Sequence, residues 1–566
     1  MKSIVFLIFR RMRRPLMTLL ITYAVSIAGM VLIPGQDADG NPWRMDFFHA
    51  TYFVSFMATT IGFGEIPFEF TDAQRLWVTL SMYAGVISWL YAIGTILGLV
   101  QDKTFQNALS EYRLAREIRD IRRPFYIICG YGETGSALVK GLTDSGRNVV
   151  VIEIDEYRAN LVKVENQRDY IPTLCGDAQK PLYLQEIGLE HPMCTAVVAV
   201  TNVNEANLKI AITSKLLHPN IKVICRSDSH DVGNNMASFG TDYIIDPYDT
   251  FATSLATAIQ VPCLHLLRSW LFSGADGELK EPVYPPVEKH WVVCGYGRFG
   301  KAVYERLKKE GIRVVVIEAA PEVTGSPAEG VIIGRGTEAS TLQEAEIEKA
   351  CGLIAGTDND ANNLSIVVTA RTLNSDLFVI VRQNHMDNST IINSVKADMV
   401  MNPSQIIADK IRVLLAMPLL NEFISLAYYQ DNEWACELAS RISGLVGRHA
   451  PTLVEIDIVP RQAHAVFEVL SNGGSVKLGE LQRDPWQRDS CLKCIVLMLE
   501  RHNDRILLPP PTTELKKEDR LLVCAGSSGL SRLYWNLQHD NVLSYVQTGE
   551  VAKHGWLWRK FSRKRK

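Results

Sequence analysis

Polar and apolar positions divide the chain into a short front that reads as membrane helix and a long remainder that alternates. From Pro15 to Gln36 no residue is charged, and the run 16–33 (LMTLLITYAVSIAGMVLI) is apolar over the ~20 residues that a bilayer-spanning helix needs. A second uncharged run, Leu76 to Gln101, has 26 residues. At ~1.5 Å per residue it can cross a bilayer with tilt. Between them, 47–58 (FFHATYFVSFMA) is apolar and aromatic but only 12 residues long, too short to span, and predicts a re-entrant helix. Beyond residue 123 short apolar runs alternate with helical patterns, which predicts doubly wound α/β domains with parallel sheets.

The alternating part is duplicated. FYIICGYGETGSALVKGL…VVVIEID around Gly130 returns as HWVVCGYGRFGKAVYERL…VVVIEAA around Gly295, an offset of 165 that also relates Glu153 to Glu318. Further on the offset is 156, relating Thr201 to Thr357, Arg226 to Arg382, Asp242 to Asp398 and Pro247 to Pro403. Constant offsets over long blocks indicate a repeated domain.

Each copy carries GxGxxG after an apolar strand run and before a helix: Gly130, Gly132 and Gly135, then Gly295, Gly297 and Gly300. An acidic residue, Glu153 or Glu318, follows 23 positions after the first glycine. This is the dinucleotide-binding fingerprint. Glycines admit phosphate close to a helix N-terminus, and the acid at the end of the second strand takes a ribose hydroxyl. Inside the turns the copies differ: Glu133 and Thr134 stand where the second has Arg298 and Phe299. Arg298 can pair with phosphate and Glu133 repels it, so the second turn is expected to hold nucleotide more readily. Asp177 and Arg335 complete the two candidate nucleotide-binding sets.

Charge refines this picture. The chain of 566 residues has a net charge of −3, but residues 1–14 carry five basic residues and 553–566 carry seven, with no acid in either. The body between them is left with 47 basic against 62 acidic side chains, which excludes nucleic acid as a partner. Basic residues before the first span (RRMRR) and five arginines between Arg113 and Arg123 place both termini on the cytoplasmic side of a plasma membrane. The loops at 35–75 carry a net −4, which concentrates cations. No run of spaced arginines lies in a further span, so no voltage sensor is present. The eleven cysteines are scattered and none lies in 35–75, so no disulfide framework is indicated, and Cys491 and Cys494 read as strand residues. Asp228, Asp231, Asp246 and Asp249 are candidate calcium ligands, but their spacing matches no calcium-binding loop and they read as helix caps. The basic tail is suited to anionic lipid or to solvent.

After the re-entrant helix comes Thr59-Thr60-Ile61-Gly62-Phe63-Gly64-Glu65. Irregular backbone at membrane depth is tolerated where it lines a water-filled path, and alternating glycines let carbonyls replace an ion's hydration shell. The run resembles the potassium-channel filter signature TVGYG, with Thr60 to Gly64 at its five positions. The resemblance implies K+ sites at the carbonyls of Thr60, Ile61, Gly62 and Phe63. It also aligns Gly85 with the family's hinge glycine, and Gly94 and Leu97 fall near the inner mouth. Glu65 departs from the family's usual Asp, and Phe56 stands where some members have a carboxylate.

The two copies resemble the domains that regulate potassium conductance, RCK domains, over residues 124 to about 540. Together with the filter they resemble prokaryotic multi-ligand-gated potassium channels with two such domains on each two-span subunit. The resemblance implies a homotetramer in a lipid bilayer, with a cytoplasmic ring that gates the pore on binding NAD or ADP/ATP, and with Ca2+ as a further ligand in relatives. It implies no enzyme activity.

The expected organisation is a pore module at 1–101, with spans at about 15–34 and 75–101, pore helix 47–58 and filter 59–65. A linker at 102–123 follows, then a first Rossmann-like RCK domain at 124–274 and a linker at 275–290. The second domain's N-lobe covers 291–445, and a small α+β C-terminal subdomain with the basic tail covers 446–566. Two rival readings are a membrane-anchored component of a Trk/Ktr-like potassium uptake system, which would lack a complete pore, and a membrane-anchored dehydrogenase, which would need a catalytic domain.

Overall fold

The computed structural model describes residues 2–59, 61–62, 64–165, 170–272, 277–327 and 329–550. It has two compact units that divide between Ile121 and Arg122.

The first unit contains helices α1 (Lys2–Leu32), α2 (Phe47–Ala58), α3 (Asp72–Gln101) and α4 (Lys103–Arg119). Phe9–Leu32 and α3 are each long and apolar enough to cross a membrane. Polar groups in hydrocarbon must pair internally, and here they do so between the two helices. The Thr22 and Ser88 hydroxyls lie 2.9 Å apart, and the Trp77 indole donates to the Ser26 carbonyl at 3.1 Å. Gly29 makes this approach possible, because a Cβ there would lie 2.0 Å from the Trp77 ring. Asp46 caps α2 by accepting from the His49 amide at 2.8 Å. The helix then buries Ala50, Phe53, Val54 and Met57 against Met30, Met45 and Phe70. The segment expected as a linker is mostly helical. Asp102, with extended backbone, separates α3 from α4 and pairs with Arg11 at 2.6 Å.

The second unit begins with a six-stranded parallel sheet of β1 (Phe125–Cys129), β2 (Asn148–Glu153), β3 (Thr173–Cys175), β4 (Cys194–Ala199), β5 (Lys222–Arg226) and β6 (Tyr243–Ile245). Its order is β3-β2-β1-β4-β5-β6, with Ile127 opposite Val150 and Val197. Strands β7 (Trp291–Cys294), β8 (Val314–Glu318), β9 (Val331–Ile333), β10 (Gly352–Ala355), β11 (Phe378–Arg382) and β12 (Met399–Met401) repeat that order. Both are doubly wound sheets whose order reverses beside the first strand, which places a crevice at the strand ends there. Helix α5 (Glu133–Asp144) follows the glycine turn of the first copy.

Packing departs from chain order. Each copy ends in a helical pair that starts at an aligned proline: α6 (Pro247–Gln260) and α7 (Pro262–Phe272) after the first, with α9 (Pro403–Ala416) and α10 (Pro418–Ala427) after the second. Tyr248, Phe251, Ala252 and Leu255 of α6 enter the core of the second copy, beside Phe299 and Val303 of α8 (Arg298–Lys309). Ile407, Ile411 and Leu414 of α9 enter the core of the first, beside Leu138 and Leu142 of α5. The copies have exchanged their crossover helices. The expected division at residue 274 therefore follows the chain and not the cores.

Helices α7, α10 and α11 (Asn432–Val446) cover one face of an antiparallel sheet of β13 (Thr452–Asp457), β14 (Cys494–Arg501), β15 (Asp504–Leu507) and β16 (Arg520–Ala525), ordered β13-β16-β14-β15. Cys494 is a strand residue and Cys491 lies just before that strand. Cys263 of α7 and Cys436 of α11 form a disulfide across 173 residues of chain. This corrects the expectation from cysteine spacing: the two residues are far apart in sequence and meet only because α7 packs on α11.

Candidate functional site

At the end of α2 the chain turns through 59–65. The Thr59 hydroxyl donates to the carbonyls of Ser55 at 2.9 Å and Phe56 at 3.2 Å, and the Ile61 amide donates to Phe56 at 3.0 Å. Gly62 and Gly64 have φ of +67° and +101°, the left-handed region that favours glycine. Thr60 and Phe63 lie outside the described residues. Glu65 accepts from Arg75 Nε at 2.9 Å, from Arg75 Nη2 at 3.1 Å and from the Phe70 amide at 2.8 Å, which ties the loop to the start of α3. Hydrogen bonds from Arg75, then from the Phe70 amide, hold its carboxyl below the usual range. Further along α3, Gly85 is buried and packs on α2, where a Cβ would lie 3.7 Å from Ala58 Cβ. Gly94 has open space around it, and Leu97 is exposed.

The two glycine turns are alike in backbone. Gly130 and Gly295 have φ of +102° and +96°. A Cβ on Gly135 would lie 2.0 Å from the Gly130 carbonyl oxygen, and one on Gly300 equally close to that of Gly295. These glycines permit the tight turn and the close helix start, leaving α5 and α8 with N-termini at the crevice and no side-chain cap. Glu153 accepts from the amides of Tyr131 and Asp155, and Glu318 from those of Tyr296 at 2.5 Å and Ala320 at 2.9 Å. The acid at the end of the second strand thus holds its own turn, with lone pairs left for a ribose hydroxyl. Thr134 and Phe299 are buried. Asp177 follows β3 and accepts from the Gln179 amide at 3.0 Å, and the exposed Arg335 follows β9.

The charged turn residues reach across to the other copy. Arg298 pairs with Asp228, which follows β5 of the first copy, at 2.6 Å. Glu133 lies 3.5 Å from His385 Nδ1 and accepts from the Met386 amide at 3.3 Å, both after β11 of the second. The Glu133 carboxylate is thus engaged by the second copy. Arg298 in turn is held by a carboxylate. Tyr248 of α6 lies between Arg298 and Arg382, 5.5 and 5.3 Å from its ring centre.

Sequence reasoning missed two buried asparagines. The Asn207 side chain accepts from the Thr201 amide at 3.0 Å and donates to the Thr201 and Arg226 carbonyls, tying β4 to β5 beside the turn. Asn363 makes the same bonds to Thr357 and Arg382. The shared offset of 156 was the available signal. Of the calcium candidates, Asp246 caps α6 and Asp228 is ion-paired. Among the described residues no group of three or more His, Cys, Asp or Glu could hold a metal.

The TrkA-N domain model matches residues 126–247 and 291–403. A Trk system potassium uptake protein TrkA homolog of Pyrococcus abyssi is 30% identical over 165 residues, which cover 26% of this chain and 72% of that protein. The chain belongs to the TrkA-N family. Its two TrkA-N copies are joined to a front segment, residues 17–102, matched by the ion channel model. Potassium channel protein 1 of Methanocaldococcus jannaschii is 33% identical over 116 residues, 20% of this chain and 34% of its own length. The match therefore spans about a third of that curated relative. The solved structure of the GsuK channel is similar to this chain in fold, with a TM-score of 0.50 and 17% identity over 96% of this chain and 100% of that one.

Proposed function

We propose that the chain is one subunit of a potassium-selective channel gated by nucleotide binding to its TrkA-N pair. The observation that carries this is the joining, on one chain, of an ion-channel segment containing 59–65 to two TrkA-N domains with intact glycine turns. One loop supplies a quarter of a filter, so the subunit works as a homotetramer. Thr59, Thr60, Ile61, Gly62, Phe63 and Gly64 form the filter, with carbonyls replacing the hydration of K+. Gly85 and Gly94 let α3 bend, and Leu97 closes the inner mouth.

NAD or an adenine nucleotide binds at each crevice, its phosphate on the glycine turn and its ribose on Glu153 or Glu318. Each turn touches the opposite copy through Glu133 or Arg298, and a phosphate at the second turn competes with Asp228 for Arg298. A ligand shifts the channel only by the difference in its affinity for the two arrangements. Both termini lie on the cytoplasmic side, and the chain catalyses no reaction.

Purified protein in planar bilayers is expected to carry current that selects potassium over sodium and changes with NAD or ADP. Silence under every nucleotide and divalent condition, or equal passage of sodium, refutes the reading. A second reading, a component of a Trk-like uptake system, rests on a TrkA homolog of Archaeoglobus fulgidus, 25% identical over 468 residues and matched over 96% of its length. Current from this chain alone excludes it.

A further inference from the structure

Away from both glycine turns, a cavity of about 260 Å³ opens between α6, α7 and α9, lined by Ser254, His265, Arg268, Phe272, Asp409 and Lys410 among others. Its charges do not balance among the described residues. Asp409 accepts from Gln405 at 3.0 Å and lies 3.5 Å from Arg412, so its charge is matched. Among the described residues Lys410 has only a neutral partner, the Asn421 side-chain oxygen, at 2.8 Å. Among the described residues neither Arg268 nor His265 has a hydrogen-bonding or ion-pairing side-chain partner, and Arg268 rests over the Phe272 ring, 5.7 Å from its centre. Burial, and then the Arg268 charge, push Lys410 down to about 8 and His265 to about 4. Burial lowers Arg268 as well.

An unmatched cation in a partly buried site is costly, and an anion removes the cost. Arginine presents a planar fork suited to two oxygens of one phosphoryl or carboxylate group, and a second cation beside it favours a dianion. The volume falls below the ~300–1,000 Å³ of pockets for drug-sized ligands, which excludes a dinucleotide.

We propose that this cavity binds a small phosphorylated metabolite, with the phosphoryl group on Arg268 and Lys410 and the carbon body against Phe272 and Ile406, which also lines it. This ligand class goes beyond the nucleotide reading and does not depend on it. The site lies where the exchanged helices α6 and α9 meet, so its occupant bears on how the two copies are held together.

The test uses the full chain in detergent, titrated calorimetrically with inorganic phosphate, glycerol 3-phosphate, acetate and glycerol. Glycerol 3-phosphate is expected to bind more tightly than inorganic phosphate, and glycerol not at all. R268Q and K410Q are each expected to weaken phosphate binding about tenfold or more, while K410R retains it. Because neither cation has a charge partner among the described residues, the melting temperature without anion is expected to hold or rise in R268Q and K410Q, and the rise on adding phosphate is expected to disappear. Phosphate affinity unchanged in both variants places the anion elsewhere, at the glycine turns for instance, and overturns the proposal. So does binding of acetate without phosphate, or a melting temperature lowered by R268Q in anion-free buffer.

Discussion

Exchange of the crossover helices makes an unusual demand on stability. Ile411 follows the second copy in the chain, is fully buried, and packs in the core of the first with Tyr126, Ile128, Leu138 and Val151. Ile411→Ala removes buried methyl groups and leaves a cavity, a change that costs about 2–5 kcal/mol in well-packed cores. At ~3 kcal/mol, amides that exchange through opening of that core speed up about a hundredfold. Hydrogen exchange with mass spectrometry is expected to show this loss of protection in peptides covering β1, β2 and β4, hundreds of residues upstream of the substitution. Peptides covering β7, β8 and β10 are expected to change far less. Phe251→Ala on α6 gives the reciprocal result, exposing the second sheet and sparing the first. Loss of protection in the sheet that precedes each helix in sequence, with the other unaffected, would refute the exchange.

Other consequences are open to direct measurement. Gly135→Ala brings a Cβ to within 2.0 Å of the Gly130 carbonyl, so the start of α5 must shift, and calorimetry is expected to show nucleotide binding lost at the first site while the second is retained. Asp360 accepts from the Asn384 amide at 2.7 Å, from the His385 amide at 3.1 Å and from Asn388 at 2.6 Å. Burial raises its pKa, but these bonds outweigh it and the net shift is downward, so its stabilisation is full above the ordinary value of 3.8 and is lost as pH falls through the folded value. Asp360→Asn is therefore expected to cost about 1–3 kcal/mol at neutral pH and nothing well below both values, and a melting difference independent of pH counts against this account. Non-reducing alkylation of the unfolded chain is expected to label nine of the eleven cysteines, leaving Cys263 and Cys436, and labelling of all eleven would show two thiols in contact.

The two long apolar helices, the glycine-bearing loop after α2 and the duplicated sheets were legible because each leaves a local mark: an uncharged run, alternating glycines, or a strand-turn-helix with fixed spacing. The exchange of α6 and α9 leaves no such mark. An amphipathic helix announces that one face is buried but not whose core buries it, and the aligned prolines Pro247 and Pro403 start helices that suit either partner. Arg298 stood out as a cation in the second glycine turn, yet its partner Asp228 is 70 residues distant and belongs to the other copy. Cys263 and Cys436 were invisible for the same reason. The Glu65 to Arg75 pair was within reach, since both flank one short loop.

The inverted charges on the two turns also bear on the history of the duplication. Position 133 and its counterpart 298 are related by the offset of 165, and Asp228 and its counterpart Asn384 by 156. If two first copies faced each other, Glu133 would be brought into the neighbourhood of Asp228, carboxylate near carboxylate. Two second copies would place Arg298 beside Asn384, whose neighbour Asp360 is a carboxylate 2.7 Å away, so that pairing meets no like charge. The mixed pair keeps Glu133 away from Asp228 and gives Arg298 a carboxylate, so the difference between Glu133 and Arg298 acts as a pairing code against two first copies. Such a code lets repulsion at one turn select against a like partner without any new attractive contact.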